Sequence, residues 1–183
     1  MKKLIIAALA IAAVAIAPKA NAQGDPMVGG AAMYPTKNIV ENAVNSKDHT
    51  TLVAAVKAAG LVETLESAGP FTVFAPTNEA FGKLPAGTVD NLVKPENKAE
   101  LTKILTYHVV AGRLSSQDLW DQVKAGNGMA NLTTVQGGKL MVMAKGKKLY
   151  LVDEKGNKSW ITISDVNQSN GVIHVVNAVL MPN

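Results

Sequence analysis

The residues that could perform acid-base chemistry in this chain are three histidines, His49, His108 and His174, set among many serines and aspartates. A histidine beside a serine and an aspartate is the catalytic arrangement of many hydrolases. However, the sequence has no Gly-x-Ser-x-Gly turn, His-Glu-x-x-His metal motif, phosphate-binding loop or dinucleotide fingerprint. Triads are defined by geometry, so these absences disfavour an enzyme but leave the question open. We predict a non-enzymatic protein with no metal and no cofactor.

His174 lies in a segment that is predicted to form the last strand. Val172 and Val176 alternate with it on one face, and Ile173 and Val175 lie on the other face. Both faces of this strand are therefore apolar. We expect a buried histidine held by a backbone hydrogen bond rather than a base or a metal ligand.

The elements before this strand are mainly helical. Residues 36–67 have the apolar spacing of two helices, and Asp48 is positioned to cap the second. The first helix is predicted to have one apolar face formed by Ile39, Val40, Ala43 and Val44. A buried strand is predicted at residues 71–74, followed by a helix that Thr77 caps. A longer helix opens at Pro95 and carries Leu101, Ile104, Leu105 and His108 on one face.

The second half is predicted to be rich in strands. After a short helix at residues 116–126, strands are predicted at residues 131–135, 139–144, 148–152, 160–164 and 172–180. Asn170-Gly171 is the strongest hairpin signal, because both residues tolerate a positive φ, and it should fold the last strand back onto residues 161–165. Helices first and strands second indicate an α+β domain with a largely antiparallel sheet packed on a helical layer.

Three segments are distinctive in order and spacing: residues 71–81 (FTVFAPTNEAF), 105–112 (LTYHVVAG) and 170–182 (NGVIHVVNAVLMP). Together they resemble the signatures of the fasciclin-like domain family, and the similarity extends from Thr36 to Pro182. The matching signature residues are Phe74, Pro76, Thr77, Phe81, Asn170, Gly171 and His174. The resemblance implies a compact, sandwich-like antiparallel β-wedge flanked by short helices.

The resemblance also implies a binding site. In animal members of the family, integrin-dependent adhesion is attributed to a Tyr-His segment and its Leu and Ile neighbours. The matching residues here are Ile104, Leu105, Tyr107 and His108. A second adhesive motif is Asp-Ile, of which Asp165 matches the first residue while Val166 replaces the second. The alternative, which we predict, is that Tyr107 and His108 are packed in the core, because His108 shares a helical face with Leu101.

The amino terminus has the pattern of a secretion signal. Met1–Lys3 is basic, Leu4–Ala17 is apolar and Ala20–Ala22 is a small-x-small cleavage site, so residues 1–22 should be removed. The apolar run is shorter than the roughly 20 residues of a membrane-spanning helix, and stable membrane insertion after cleavage is not expected. Residues 23–35 are predicted to be a flexible leader to a domain of residues 36–183. A periplasmic or secreted location follows.

Charge and composition limit the partners. Cleavage would remove three of the 18 basic residues and none of the 14 acidic ones, which leaves a net charge of +1. No long basic run remains, so nucleic acid is not an expected partner. There is no cysteine, so packing alone must hold the fold.

The leading hypothesis is an adhesion module for a protein or polysaccharide at the cell surface or in the matrix. The alternative is a periplasmic carrier of a small apolar ligand, suggested by 48% hydrophobic residues and by strands that are apolar on both faces.

Overall fold

The computed structural model describes residues 25–183, so the predicted signal of residues 1–22 lies outside the described residues. Within this part, the strands are β1 Met27–Val28, β2 Ala31–Ala32, β3 Phe71–Pro76, β4 Val109–Ala111, β5 Met129–Thr133, β6 Lys139–Lys145, β7 Lys148–Val152, β8 Lys158–Gln168 and β9 Gly171–Val176. The α-helices are α1 Ile39–Ala43, α2 Thr50–Ala59, α3 Val62–Glu66, α4 Asn78–Gly82, α5 Thr88–Leu92, α6 Lys98–Tyr107 and α7 Ser116–Ala125. Short 3-10 turns at Lys47–His49 and Pro95–Asn97 precede α2 and α6. No helix in residues 25–183 has the length and apolar character needed to cross a membrane.

Strands β3 to β9 form one seven-stranded sheet in the order β4-β3-β9-β8-β7-β6-β5. All neighbours are antiparallel except β3 and β9, which run parallel with Phe74 opposite His174. The two edges of the sheet approach each other: Val110 forms a bridge with Thr134, and the Val135 amide donates to the Val109 carbonyl at 2.7 Å. The sheet is therefore curled into a wedge, and the predicted α+β fold is confirmed.

Two apolar cores lie on opposite faces of the central strands. The first core packs α1–α6 against β3 and β9 and includes Val73, Ala75, Ile173 and Val175. The second fills the inside of the wedge beneath α7 and includes Phe74, Leu119, Leu140 and Val176. Strand β9 is thus covered on both faces, which explains why neither face is polar in the sequence.

The helical layer differs from its prediction in two places. Val44 is 49% exposed, and the inward position on α1 belongs to Asn42, whose amide bonds to the backbone of Tyr34 and to the side chain of Gln168. Asp48 lies in the 3-10 turn and does not cap α2. Instead the side-chain oxygen Oδ1 of Asn78 accepts from the Thr51 amide at 3.0 Å, so the cap of α2 comes from a residue of α4.

The structure also differs from the predicted flexible leader of residues 23–35. Residues 27–32 form the small hairpin β1–β2, and Val28 and Met33 are buried in the first core. The Gly29 carbonyl accepts from the Lys47 amide at 3.2 Å. A Cβ at Gly29 would collide with the Ser46 hydroxyl, so only glycine permits this close approach. The folded part therefore begins near Met27 and not at Thr36.

The predicted β8–β9 hairpin is present, but its turn is centred on Ser169 and Asn170, because Gln168 pairs with Gly171. Asn170 and Gly171 do not have a positive φ, so the prediction of a tight turn with a positive φ at both residues was wrong. The buried Asn170 side chain accepts from the Ile39 amide at 3.1 Å and donates to the carbonyls of Leu65 and Ser67. Gly171 is needed because a Cβ there would collide with the Phe71 carbonyl. The pair therefore joins three segments rather than making a tight turn.

Candidate functional site

The Tyr-His segment lies where α6 ends and β4 begins. Thr77 caps α4 after β3 as predicted, with its hydroxyl accepting from the Ala80 amide at 3.2 Å, and Phe81 is buried behind it. Tyr107 is 0% and His108 2% exposed. Ile104 and Leu105 are equally buried. The structure thus brings the four predicted partner-binding residues together inside the protein.

His108 connects α6 to the carboxyl-terminal segment. Its Nε2 accepts from the Leu180 amide at 3.0 Å, so Nδ1 carries the proton and donates to the Ile104 carbonyl at 2.9 Å. Both nitrogens are therefore used by the backbone of the neutral ring. Burial lowers the pKa of His108 to about 4, against the weaker opposing effects of the Ile104 carbonyl and Asp153. This is the environment of a structural histidine.

Tyr107 connects α6 to the strand-rich half of the domain. Its hydroxyl donates to the Lys139 carbonyl at 2.6 Å and accepts from the Glu154 amide at 3.2 Å. Burial raises the pKa of Tyr107 to about 12, so the hydroxyl keeps its proton at physiological pH. No polar atom of this side chain is left for a partner.

His174 and Asp165 are neighbours across β8 and β9. The His174 Nδ1 accepts from the Asp165 amide at 3.3 Å, and its Nε2 donates to the Leu114 carbonyl at 2.8 Å. The ring stacks on Phe74 with centroids 5.7 Å apart. Burial lowers the pKa of His174, although the hydrogen bond to Leu114 opposes this shift. His174 is thus held by the backbone in the way expected from the sequence.

Asp165, the remaining predicted partner-binding residue, has an internal partner. It has a positive φ of 59° at an irregularity in β8, which turns its side chain toward α7. The carboxylate accepts from the Ser116 amide at 2.7 Å and from the Ser116 hydroxyl. An anion at the first turn of a helix stabilises it, so Asp165 has a structural role at the start of α7.

No catalytic arrangement connects the three histidines. His49 lies 2.9 Å from the hydroxyl of buried Ser46, but within residues 25–183 no histidine ring has a hydrogen bond to a carboxylate. In the same part of the chain, no group of three His, Cys, Asp or Glu side chains could hold a metal ion. The three histidines of the described residues therefore form no Ser-His-Asp triad.

A different candidate site lies on the outer face of the wedge. Four residues directly opposite one another on β5–β8 form what we call the outer row: Met129, Met143, Tyr150 and Trp160. The Tyr150 and Trp160 rings are 4.8 Å apart, and the Tyr150 hydroxyl lies 3.5 Å from the Met143 sulfur. None of the four belongs to either core. Met129 is 39% exposed and Met143 and Trp160 are half-buried, whereas Tyr150 is buried at 9% exposure. The apolar strip at the surface is therefore formed mainly by Met129, Met143 and Trp160.

Lysines border the outer row on both sides. Lys145 and Lys148 pair across β6 and β7 next to it, and the Lys158 ammonium lies 5.7 Å from the Tyr150 ring centroid. Strands β5–β8 contain four lysines and one acidic residue, Asp165, whose carboxylate is bonded to Ser116. Within residues 25–183 a salt bridge joins Lys124 and Asp121, and none involves a lysine of β5–β8. The face is therefore both apolar and basic.

Sequence reasoning did not identify this face. The alternation of Met141 and Met143 with Leu140 and Val142 was visible, and it predicts methionines that fill gaps in an apolar sheet. The structure places Leu140 and Val142 in the second core and both methionines on the outer face. The alternation of residues along β7 could have predicted the row. Leu149 and Leu151 lie in the second core, so Tyr150 between them must lie on the outer face.

Comparison with known proteins gives consistent matches. A fasciclin domain matches residues 47–182. Protein sll1483 of Synechocystis is 45% identical over 96% of this chain and 90% of the relative. The immunogenic protein MPB70 of Mycobacterium bovis is 37% identical over 96% of this chain and 92% of the relative.

More distant matches come from animals. The transforming growth factor-beta-induced protein ig-h3 of Sus scrofa is 36% identical over 81% of this chain, which spans only 20% of that protein. The structure of a FAS1 domain pair from the insect cell adhesion molecule Fasciclin I superimposes with a TM-score of 0.70 at 17% identity, over 79% of this chain and 51% of that one. By its sequence and its fold, this chain belongs to the fasciclin domain family.

Proposed function

We propose that this protein is a non-enzymatic binding module that acts in adhesion or association outside the cytoplasm, at a cell surface or in a matrix. The observation that carries the proposal is the outer row, a strip of Met, Tyr and Trp side chains that lies outside both cores and between lysines. Tyr and Trp at a surface supply much of the binding energy of protein interfaces. The signal pattern of residues 1–22 supports a periplasmic or secreted location.

The binding surface is the outer face rather than the Tyr-His segment. Tyr107 and His108 are buried, and their polar atoms are bonded to backbone groups of other segments. A partner could reach them only after α6 had separated from the sheet. The outer row needs no such rearrangement.

An anionic polysaccharide is the partner that suits this face best. The apolar faces of sugar rings pack on aromatic side chains, and Trp160 provides a half-buried ring whose position is supported by the buried Tyr150 ring 4.8 Å away. Lys145, Lys148 and Lys158 would pair with the carboxylate or sulfate groups of such a chain. A polymer presents many copies of its binding unit, which compensates for the weak contact that one small domain makes. The family names found above, a cell adhesion molecule among them, are consistent with a surface role.

The test measures retention of protein 23–183, which contains every described element, on immobilised alginate and on immobilised dextran. We expect retention on alginate that decreases with added salt, since charge interactions are screened within about 10 Å at 0.1 M salt. Trp160→Ala should weaken binding about tenfold or more, and Lys145→Gln with Lys148→Gln should reduce the salt dependence, with Lys158 left in place. Tyr34→Ala, which removes an exposed aromatic residue outside the sheet, is the matched control.

Two results would count against the proposal. Equal retention on alginate and dextran by every variant would show that the outer face does not select an anionic polymer. Retention lost to the same degree in Tyr34→Ala and Trp160→Ala would remove the outer row from the interaction. Capture of a purified surface protein in place of alginate, still dependent on Trp160, would assign the face to a protein partner instead.

A further inference from the structure

A cavity of about 70 Å³ lies in the first core, between the helical layer and strands β3 and β9. Its walls come from α1, α2, α3 and α6, from the central strands and from the amino-terminal hairpin, with side chains that include Val28, Met33, Val40, Val56, Val73 and Ile173. Well-packed cores have few voids larger than a water molecule. A space of this size in the centre of the domain therefore calls for an explanation.

Three buried polar side chains are among the lining residues, Ser46, His49 and His108, and both ring nitrogens of His108 are already bonded to the backbone. The Ser46 hydroxyl lies 2.9 Å from the His49 Nδ1. The other ring nitrogen, His49 Nε2, is fully buried and has no hydrogen-bond partner within residues 25–183. Leaving a buried polar atom unpaired is costly, so nearly all such atoms in folded proteins have a partner.

The ring is neutral, and its open nitrogen can serve either role. Burial lowers the pKa of His49, while the Ala75 backbone and the charge of Asp48 partly oppose the shift. The Ala75 backbone is close enough to influence the ring, but its geometry relative to Nε2 is too poor for a hydrogen bond. If Ser46 donates to Nδ1, then Nε2 carries a proton and offers a donor; if Nδ1 donates to Ser46, then Nε2 offers an acceptor. A hydroxyl group satisfies Nε2 in both cases, whereas a carboxylate would find no cation there.

Water does not explain the cavity well. A buried water is held by two to four hydrogen bonds, and genuinely apolar cavities stay dry. Here Nε2 is the unpaired buried side-chain atom of the described chain, and the remaining walls are almost entirely apolar. A molecule with an apolar body and one polar group matches these walls better than water does.

The lining of the cavity reaches the surface of the protein. Its lining includes exposed residues, Lys57 and Thr64 beside the α2–α3 junction and Val135 next to β4. On another side it is closed by Val28 and Met33 of the short amino-terminal hairpin. We expect a small molecule to enter at these positions.

We propose that this cavity is a binding site for a small, uncharged, mainly apolar molecule that carries one hydroxyl or carbonyl group, with the polar group bonded to His49 Nε2. For scale, an engineered apolar cavity of about 150 Å³ binds benzene. The 70 Å³ cavity accordingly suits a short-chain alcohol or the end of a longer molecule that reaches out past Val135. The site lies on the opposite side of the sheet from the second core and is independent of the outer row.

The test uses 1-butanol and 1-chlorobutane, which are similar in shape but differ in the hydroxyl group. Each is titrated into protein 23–183, and the backbone amide NMR shifts are followed. A Ser46→Ala/His49→Phe variant keeps a ring of similar size and removes both polar groups together, so no new unpaired atom is created. Val56→Phe fills the cavity from α2, and its amide spectrum shows first whether it is folded.

We expect saturable shifts for 1-butanol that are confined to amides around the cavity. The ratio of the two dissociation constants should move about tenfold toward 1-chlorobutane in the Ser46→Ala/His49→Phe variant, and folded Val56→Phe should bind neither compound. Shifts that do not saturate, or that scatter over the surface, would overturn the site. An unchanged ratio in the double variant would overturn the role of His49, whether or not Val56→Phe folds.

Discussion

Replacing His108 by alanine separates the packing role of the Tyr-His segment from a direct binding role. The substitution removes a fully buried ring, and it leaves the Leu180 amide and the Ile104 carbonyl without their partners. Each unpaired backbone group costs about 1–3 kcal/mol, and truncation of a large buried side chain costs a few kcal/mol more. We therefore expect a loss of roughly 4 kcal/mol or more, a large part of the 5–15 kcal/mol that is typical of whole domains.

Thermal unfolding followed by circular dichroism measures this loss. For a domain of this size, 1 kcal/mol lowers Tm by about 2–4 °C, so His108→Ala should melt about 10 °C or more below the parent protein. Glu100→Ala is the control, because this residue is exposed on the same helix and such substitutions change stability by about 0.5 kcal/mol at most. An unchanged Tm together with lost alginate binding would refute the structural reasoning and return the segment to a surface role.

Four further outcomes are expected. The free energy of unfolding should fall by about 3 kcal/mol between pH 6.5 and pH 4. Over this range the unfolded chain binds a proton at His108, whereas the folded protein, in which the pKa of His108 is about 4, does not yet bind it. A urea midpoint that stays constant over this range would contradict the expectation. The lowered pKa values of His49 and His174 act in the same direction. Asp165→Ala should lower Tm more than Asp165→Asn, since asparagine tolerates the positive φ and alanine does not; equal melting temperatures would remove the argument from backbone strain. Deletion of residues 23–35 should destabilise the domain by uncovering the first core, and a deletion variant as stable as its parent would restore the idea of a free leader. Protein exported by its native host should have the intact mass of residues 23–183, and a mass that retains residues 1–22 in a membrane fraction would disprove cleavage.

Local features of the fold could be predicted because short-range chemistry determines them. Thr77 caps α4 through a bond to an amide three residues away, and the buried face of α6 follows from residues spaced by one helical turn. The burial of His174 follows from a strand whose neighbours on both faces are apolar. In each case, the partners that decide the outcome lie within a few positions of the residue concerned.

Features that depend on distant partners could not be predicted. Asn170 looks like a turn residue, but its amide bonds to Ile39 and Leu65, which are more than 100 positions away. The α2 cap comes from Asn78, and no pattern near Thr51 reveals it. The parallel pairing of β3 with β9 likewise joins the first and last strands of the large sheet. The outer row was missed for the same reason, since its four residues become neighbours only through the register of β5–β8.

The residues that identify the family and the residues proposed to bind a partner lie in different places, and this has a physical reason. Phe74, Tyr107 and His174 are fully buried, and each bonds or packs across two separate segments, so few other side chains would fit there. Their presence predicts the wedge, yet it carries no information about what the surface contacts. The outer row is free of such demands, because Met143 and Trp160 are half-buried and belong to neither core. We therefore expect partner identity to be decided on the outer face of β5–β8, where a substitution at Trp160 should change binding without changing either core.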